Sequence, residues 1–512
     1  MTGLHSLSAL DSAFLALESD RTPMHYASLG IFGGGGLTDA SGDLRLGAIR
    51  ELLEQRLARV PALRWKLAYR PSFSGALAVW VEDPQFDIDH HVRVRPLAPP
   101  GDEPALLDQT AELLRAPIDR AHPLWELWFL TGLSGGRVAV LEKIHHSLAD
   151  GLAGVEIATL LFDAAADAAA DAGPPPYSPP HPRPPMAAPS PPAGSSPPAG
   201  SSPPAGSSPP AGSSPAQSPP TPTPAVRVLE ELERVAPIPA HAVSLALGQA
   251  RHPFRTTSDG ISVARGLWSI MAGGLIAPRH RLNRAVGSER RLVLVRQPLE
   301  EIHRAAAQAG ATVNDVLLVA TGTGIGDLLR GRGERVDGSE AQILVPVGLG
   351  GTGTDQFGNH VSALVVRVPL GAADPGACLQ AVARTTALRK HQHQAAAAGA
   401  IAAAFSLVPQ PVVDLVARAV HHQPFVTVVV TNVPGPGIPL SALGSPLLEA
   451  FPVLPLAGNL PVGIAALSYG GQLSVGVLAD PDACPDLDVL VAGMERAFTS
   501  LRHDVTPPAT PV

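Results

Sequence analysis

Apolar residues along this chain recur with two periods, one near 3.6 and one near 2. Over 46–60, Leu46, Ile49, Leu52, Leu53, Leu57 and Val60 stand at helical spacing and predict an amphipathic helix. Strands are predicted over 63–69, 76–81, 124–130 and 137–144, and the segment 87–94 alternates. Helix is predicted over 104–115 and over 151–170, where Leu152, Val155, Ile157, Leu160 and Leu161 cover a wide apolar face. The same grammar returns later in the chain. Strands at 291–295, 342–347, 361–368 and the β-branched run 425–431 are interleaved with helices at 299–309, 314–329 and 375–390. Gly470-Gly471 between 463–467 and 472–478 predicts a hairpin. Interleaving of this kind in both stretches predicts an α/β (α+β) fold with mixed sheets and two domains.

Between the two stretches the pattern disappears. Residues 173–224 hold 22 of the 55 prolines, and the only charged residue there is Arg183. Pro-Pro-Ala-Gly-Ser-Ser occurs four times in tandem over 191–214. Such a segment has little to bury, so it is expected to remain a disordered linker. The expected organisation is therefore a first domain over 1–172, a linker over 173–224, a second domain over 225–503 and a Pro/Thr-rich disordered tail over 504–512.

Charge and cysteine content narrow the function classes. The net charge is −8, which argues against nucleic acid as a partner. Only Cys378 and Cys484 are present, as in proteins of a reducing compartment. The N-terminus has no basic region ahead of an apolar stretch, so a cytoplasmic protein without a signal peptide is expected. The apolar runs at 266–278 and 395–408 are too short to span a bilayer. They read either as buried helix or as surface in contact with lipid. Charged residues make up only 16% of the chain, against about a quarter in ordinary domains, which keeps the lipid reading open.

The candidate chemistry lies in Ile144-His145-His146-Ser147-Leu148-Ala149-Asp150-Gly151, between a predicted strand and a predicted helix. Paired histidines also occur at His90-His91 and His421-His422, so the pair alone is weak. The added Asp150 and Gly151 make the motif specific. A neutral imidazole is the natural general base near pH 7. Asp150 could orient the loop, and Gly151 would free the backbone for a turn. Two other readings stay open at this level: a metal site built from His145, His146 and Asp150, and a structural loop. Adjacent strand residues point to opposite faces, which weakens the metal reading, and no other ligand cluster is evident in sequence. Gly-X-Ser-X-Gly at 132–136 joins two strands and the glycine-spaced segment 348–353 precedes no helix, so both read as turn or loop.

The pattern His-His-x-x-x-Asp-Gly resembles the active-site signature of CoA-dependent acyltransferases, a group that includes chloramphenicol acetyltransferase and peptide condensation domains. The surroundings resemble the bacterial wax ester synthase/diacylglycerol acyltransferase family more narrowly. The resemblance is carried by the N-terminal block 7–15 with Thr22-Pro23-Met24-His25, by 86–92, and by Pro123-Leu124-Trp125-Glu126. It continues through Leu282-Asn283, Gly287, Arg290-Arg291, Asn314-Asp315-Val316-Leu317, Gly358-Asn359 and Asn432-Val433-Pro434-Gly435-Pro436. It covers the chain outside the insert.

The resemblance implies two chloramphenicol-acetyltransferase-like domains with a channel between them. It implies His146 as the base that deprotonates the hydroxyl of diacylglycerol or a long-chain alcohol. Attack on acyl-CoA would then give triacylglycerol or wax ester and free CoA. His145, Asp150 and Gly151 would hold the loop. Pro123, Leu124, Trp125, Asn314 and Asp315 would support the architecture or the substrate path, and Asn432, Pro434 and Gly435 would shape the channel. No metal or cofactor is implied, acyl-CoA being a substrate, and peripheral contact with a membrane or lipid droplet is expected. The family pattern is broken at Gly348-Leu349-Gly350, His360 and Thr431, which bears on acceptor choice or CoA handling rather than on the base.

Overall fold

The computed structural model of the chain describes residues 4–72, 75–164, 281–348, 361–372, 374–393 and 426–503. The proline-rich insert, the apolar runs at 266–278 and 395–408, most of the 348–353 segment, Gly358 to His360 and the C-terminal tail lie outside these residues.

The first stretch runs through β1 (His5–Ser6), α1 (Ala9–Leu17), β2 (His25–Phe32), α2 (Leu46–Leu57), β3 (Trp65–Ser72) and β4 (Gly75–Glu82). It continues with α3 (Ile88–His91), β5 (Val92–Pro96), α4 (Glu103–Arg115), β6 (Trp125–Leu133), β7 (Arg137–His145), α5 (Gly151–Leu161) and β8 (Asp163–Ala164). The second stretch holds β9 (Arg291–Pro298), α6 (Leu299–Gln308), α7 (Val313–Gly331), β10 (Glu340–Gly348), β11 (Val361–Pro369) and α8 (Pro375–His393). After these come β12 (Val428–Pro434), β13 (Leu440–Ala442), β14 (Ser445–Val453), β15 (Val462–Tyr469), β16 (Gln472–Ala479) and α9 (Leu487–His503).

Two mixed sheets organise these elements. One has seven strands in the order β5-β6-β7-β2-β14-β13-β8, with β5 and β6 parallel and the other neighbours antiparallel. The other has six strands in the order β11-β10-β12-β15-β16-β9, with β12 parallel to both β10 and β15. A small third sheet pairs β1, β4 and β3. The fold is thus mixed α/β, with helices packed on the sheets. The hairpin expected at Gly470-Gly471 is present, with both glycines at positive φ (56° and 78°). The 132–136 segment is the turn between β6 and β7.

Three differences from the pattern reading have physical causes. The alternating 87–94 segment opens as the short helix α3, because the Asp87 side chain accepts the Asp89 amide and caps it. The helix expected over 151–170 stops at Leu161 and leads into β8. Most consequential, β13 and β14 come from the 225–503 segment yet belong to the first sheet, where β14 pairs with β2 from Ala27 to Phe32. That hairpin crosses the boundary drawn at the insert. Without it β2 would be an unpaired edge, open to pairing with other chains.

The two halves are also joined by side chains. Arg296 on β9 reaches Glu449 on β14 (Nε to Oε1, 2.7 Å) and Glu103 on α4 (Nη2 to Oε2, 2.6 Å), and lies over the Phe451 ring. One core cluster mixes Leu106, Leu113 and Leu114 of α4 with Leu292 and Leu294 of β9 across one face of the seven-stranded sheet. Cys378 and Cys484 are buried and free. Among the described residues no helix is long and apolar enough to cross a membrane.

Candidate active site

The motif sits where β7 leaves the seven-stranded sheet and turns into α5. His145 and His146 point to opposite sides, as strand alternation requires. His145 is 1% exposed. Its Nδ1 accepts the Ser147 amide (3.0 Å) and lies 2.7 Å from Ser147 Oγ. That role puts the ring proton on Nε2, which faces Glu18 Oε1 at 3.4 Å. The His145 amide donates to Leu124 O (3.0 Å).

His146 is only half-buried. Its amide donates to Met24 O (2.8 Å), and its ring stacks on Phe14 (4.6 Å between centroids) and meets the edge of Tyr26 (5.5 Å). One histidine is therefore sealed into the scaffold and the other is presented by it.

Asp150 is the N-cap of α5. Its Oδ1 accepts the amides of Leu152 and Ala153, both at 3.0 Å, and satisfies two donors that helix geometry leaves without partners. Asp150 thus fixes the loop by hydrogen bonds. His145, His146 and Asp150 do not converge on one point, which disfavours a metal held by the motif. Gly151 stands at the helix start, as the first residue of α5, and its φ is not in the left-handed region. A Cβ there would touch Val433 Cγ2 at 3.4 Å, so β12 of the other sheet packs directly on the motif.

The remaining expected residues divide into two groups. Leu124 is fully buried, Trp125 donates from Nε1 to Leu63 O (2.7 Å), and Pro123 precedes them as a buried residue, so this block props the strand that carries His145. Asp315 closes a capping box with Thr312 on α7 and accepts from Thr386 Oγ1 (2.7 Å), so with Asn314 beside it this block belongs to the architecture of the second half. Asn432 and Pro434 lie on β12, on either side of the Val433 that touches Gly151. Asn432 Oδ1 is buried and has no hydrogen-bond partner among the described residues. Gly435 is sterically required, because a Cβ there would stand 2.1 Å from Ser468 O.

Four contributors were not read from sequence as parts of the site. Phe14 and Glu18 arrive with α1, whose N-terminus is set by a Ser8–Asp11 capping box. Tyr26 lies under α5, where a Cβ on Gly154 would stand 2.4 Å from its hydroxyl. Glu142 is a buried carboxyl on the Tyr26 face of β7, since Ile144 is opposite Tyr26 and Glu142 is opposite Ser28. Their positions follow from long-range pairing, which a one-dimensional pattern does not carry. The Ser8–Asp11 spacing is the one local signal that marks α1.

Electrostatics separates the two carboxyls. Burial raises the pKa of Glu18, but His145, the Met24 amide and Arg120 outweigh it and bring it to about 2. Among the described residues Glu142 has no such partners, and burial pushes it up to about 8. The Lys143 ammonium, lowered by burial, is held by Glu126 (3.1 Å) and Ala116 O (3.0 Å). Because the folded pKa of Glu18 lies below the unfolded value of 4.5, its stabilisation is full above pH 4.5 and lost as pH falls toward 2. Glu18→Gln is therefore expected to cost about 1–3 kcal/mol at neutral pH and to flatten this acid-side loss, as measured by urea unfolding between pH 2.5 and 7.

Two family models together match most of the chain. The wax ester synthase/diacylglycerol acyltransferase catalytic domain matches residues 7–317, and the WS/DGAT C-terminal domain matches residues 357–502. The chain belongs to the wax ester synthase/diacylglycerol acyltransferase family. It is 28% identical over 502 residues to the "Probable diacyglycerol O-acyltransferase tgs1" of Mycobacterium tuberculosis, covering 97% of this chain and 96% of the relative. The solved wax ester synthase/diacylglycerol acyltransferase from Marinobacter aquaeolei VT8 superposes with a TM-score of 0.62 at 21% identity, covering 98% of this chain and 99% of that one. The first condensation domain of the calcium-dependent antibiotic synthetase follows at 0.55 and 14%, covering 99% and 97%. Both likenesses are of fold. They agree with the two-domain acyltransferase architecture expected from the motif.

Proposed function

We propose that this family member transfers a long-chain acyl group from acyl-CoA to the free hydroxyl of diacylglycerol, giving triacylglycerol and CoA. A long-chain alcohol is the second acceptor, giving a wax ester. The observation that carries the reading is the asymmetry of the motif: a sealed His145 beside a half-buried His146. His146 takes the proton of the acceptor hydroxyl as its oxygen attacks the thioester carbonyl. The tetrahedral adduct collapses, the C–S bond breaks, and the thiolate leaves as CoA, protonated by the imidazolium. A thioester is already activated, so no covalent enzyme intermediate and no cofactor are needed. The position of β12 against Gly151 supports a channel between the halves, shaped in part by Asn432, Pro434 and Gly435. Low charge supports an enzyme that meets its lipid at a membrane or droplet surface.

The purified chain is to be given hexadecanoyl-CoA with dioleoylglycerol or hexadecanol while free thiol is followed. Thiol release that depends on an acceptor is expected, faster with dioleoylglycerol. Absence of turnover with both acceptors would favour a lipid carrier on the same fold. Turnover only with an acyl-loaded carrier protein would move the chain to condensation-type chemistry.

A further inference from the structure

Away from the motif, the fold gathers a ligand set that sequence reading did not find. His90 lies on α3, while Asp119 and His122 lie in the turn between α4 and β6, so the set spans residues distant in sequence. One potential ligand atom from each lies within 4.8 Å of the other two. His122 Nε2 is 3.7 Å from Asp119 Oδ2, and the His90 and His122 ring centres are 3.6 Å apart. Ligands on a tetrahedral zinc ion, at bonds of about 2.0–2.2 Å, stand roughly 3.4 Å from one another. The Asp119–His122 spacing is close to that value, and the other ligand atoms lie within 4.8 Å, so an ion would draw them in.

The backbone around the set is firmly held. Asp119 Oδ1 accepts the Ala121 amide (2.9 Å), leaving Oδ2 toward His122. The carbonyl of His90 accepts from Arg93 Nε (2.7 Å), and the next residue, His91, is buried and stacked on Trp125 at 4.3 Å. Asp83, buried and paired with Lys66 at 2.8 Å, interacts electrostatically with His122. His90 and His122 are half-buried and Asp119 is exposed, so a fourth position is open to water.

We propose that His90, Asp119 and His122 form a site for a divalent late transition metal, zinc foremost, separate from the acyl-transfer centre. Two imidazoles and one carboxylate suit zinc, nickel or cobalt, whereas magnesium and calcium take oxygen ligands. The ion would pin α3 to the chain entering β6. Pro123 to Trp125 follow His122 directly, and Leu124 O holds the His145 amide. The site therefore acts as a brace for the strand that supports the motif, and its signature is stability rather than chemistry.

The test uses the full chain without an affinity tag, stripped with a chelator and titrated with Co²⁺ as a visible-absorption probe and then with Zn²⁺. About one equivalent is expected to give the intense absorption of a low-coordinate Co²⁺ site, displaced by Zn²⁺, with Zn²⁺ raising the melting temperature. His90→Ala and His122→Ala are each expected to weaken binding by at least about 10–100-fold, Asp119→Asn by less, and His146→Ala to leave affinity unchanged. Circular dichroism establishes that the variants fold. Equal Zn²⁺ affinity in the folded His90→Ala/His122→Ala double variant overturns the proposal. So does a wild-type chain that gives no saturable Co²⁺ signal.

Discussion

His146→Ala is expected to slow acyl transfer by about 10²–10⁴-fold, or roughly 3–5 kcal/mol of transition-state stabilisation, while the protein stays folded. Its ring is half-buried, stacks on Phe14 and meets the edge of Tyr26. Losing such ring contacts costs about 0.5–1.5 kcal/mol, small beside the catalytic loss. The backbone bond from its amide to Met24 O survives the substitution. The loss should appear in kcat with KM little changed, because the imidazole acts on a proton that moves only in the transition state. His145→Ala gives the contrast. That ring is sealed against Ser147 and Glu18, so its removal should lower the melting temperature and reduce activity by loosening the loop. Wild-type turnover in a folded His146→Ala protein would remove the histidine as base.

The contrast between the two histidines shows how much of this molecule was legible in one dimension. Strand alternation alone gave their opposite directions, and Asp150 stood out as a residue able to orient the loop, its capping of α5 emerging only in the structure. Most strands and helices emerged within a few residues, because each has its own period. Much of what stayed hidden depends on distant pairing, although α9 carries helical spacing of its own. β14 contains Pro446 and Pro452 and a bulge, features that argue against a strand, yet β2 supplies it with a partner. Glu18 looks like any polar residue after a helix until folding sets it against His145 and Arg120. Gly154 looks like an arbitrary helical glycine until Tyr26 is placed beneath it. The ligand set at His90, Asp119 and His122 is equally invisible before α3 and the α4–β6 turn meet.

Glu142 should make the protein less stable as pH rises from 6.5 to 8, and Glu142→Gln should abolish that loss. The side chain is 6% exposed, and burial holds its pKa at about 8 against 4.5 when unfolded. Across that interval the folded state carries a proton that the unfolded state lacks. Its stabilisation is therefore complete below pH 4.5 and declines until the pH passes 8. The slope is about 1.4 kcal/mol per pH unit where only the folded state is protonated. Buried histidines act the other way over part of this range. His25 is pushed well below 6.5 and His91 to about 4, chiefly by burial, so they destabilise the fold as pH drops below 6.5. Glu18 titrates below 4.5. Between pH 6.5 and 8 the Glu142 contribution amounts to about 2 kcal/mol and outweighs the fading histidine contributions, which together are smaller than about 1 kcal/mol. Glutamine keeps the shape and cannot ionise, so its urea midpoint should hold level where the wild-type midpoint falls. Parallel midpoints in the two proteins from pH 6.5 to 8 would mean that Glu142 is already ionised in the fold. A neutral Glu142 fits its surroundings, since it lies on the sheet face that carries Tyr26, whose ring meets His146, and a buried anion there would have no partner to hold it.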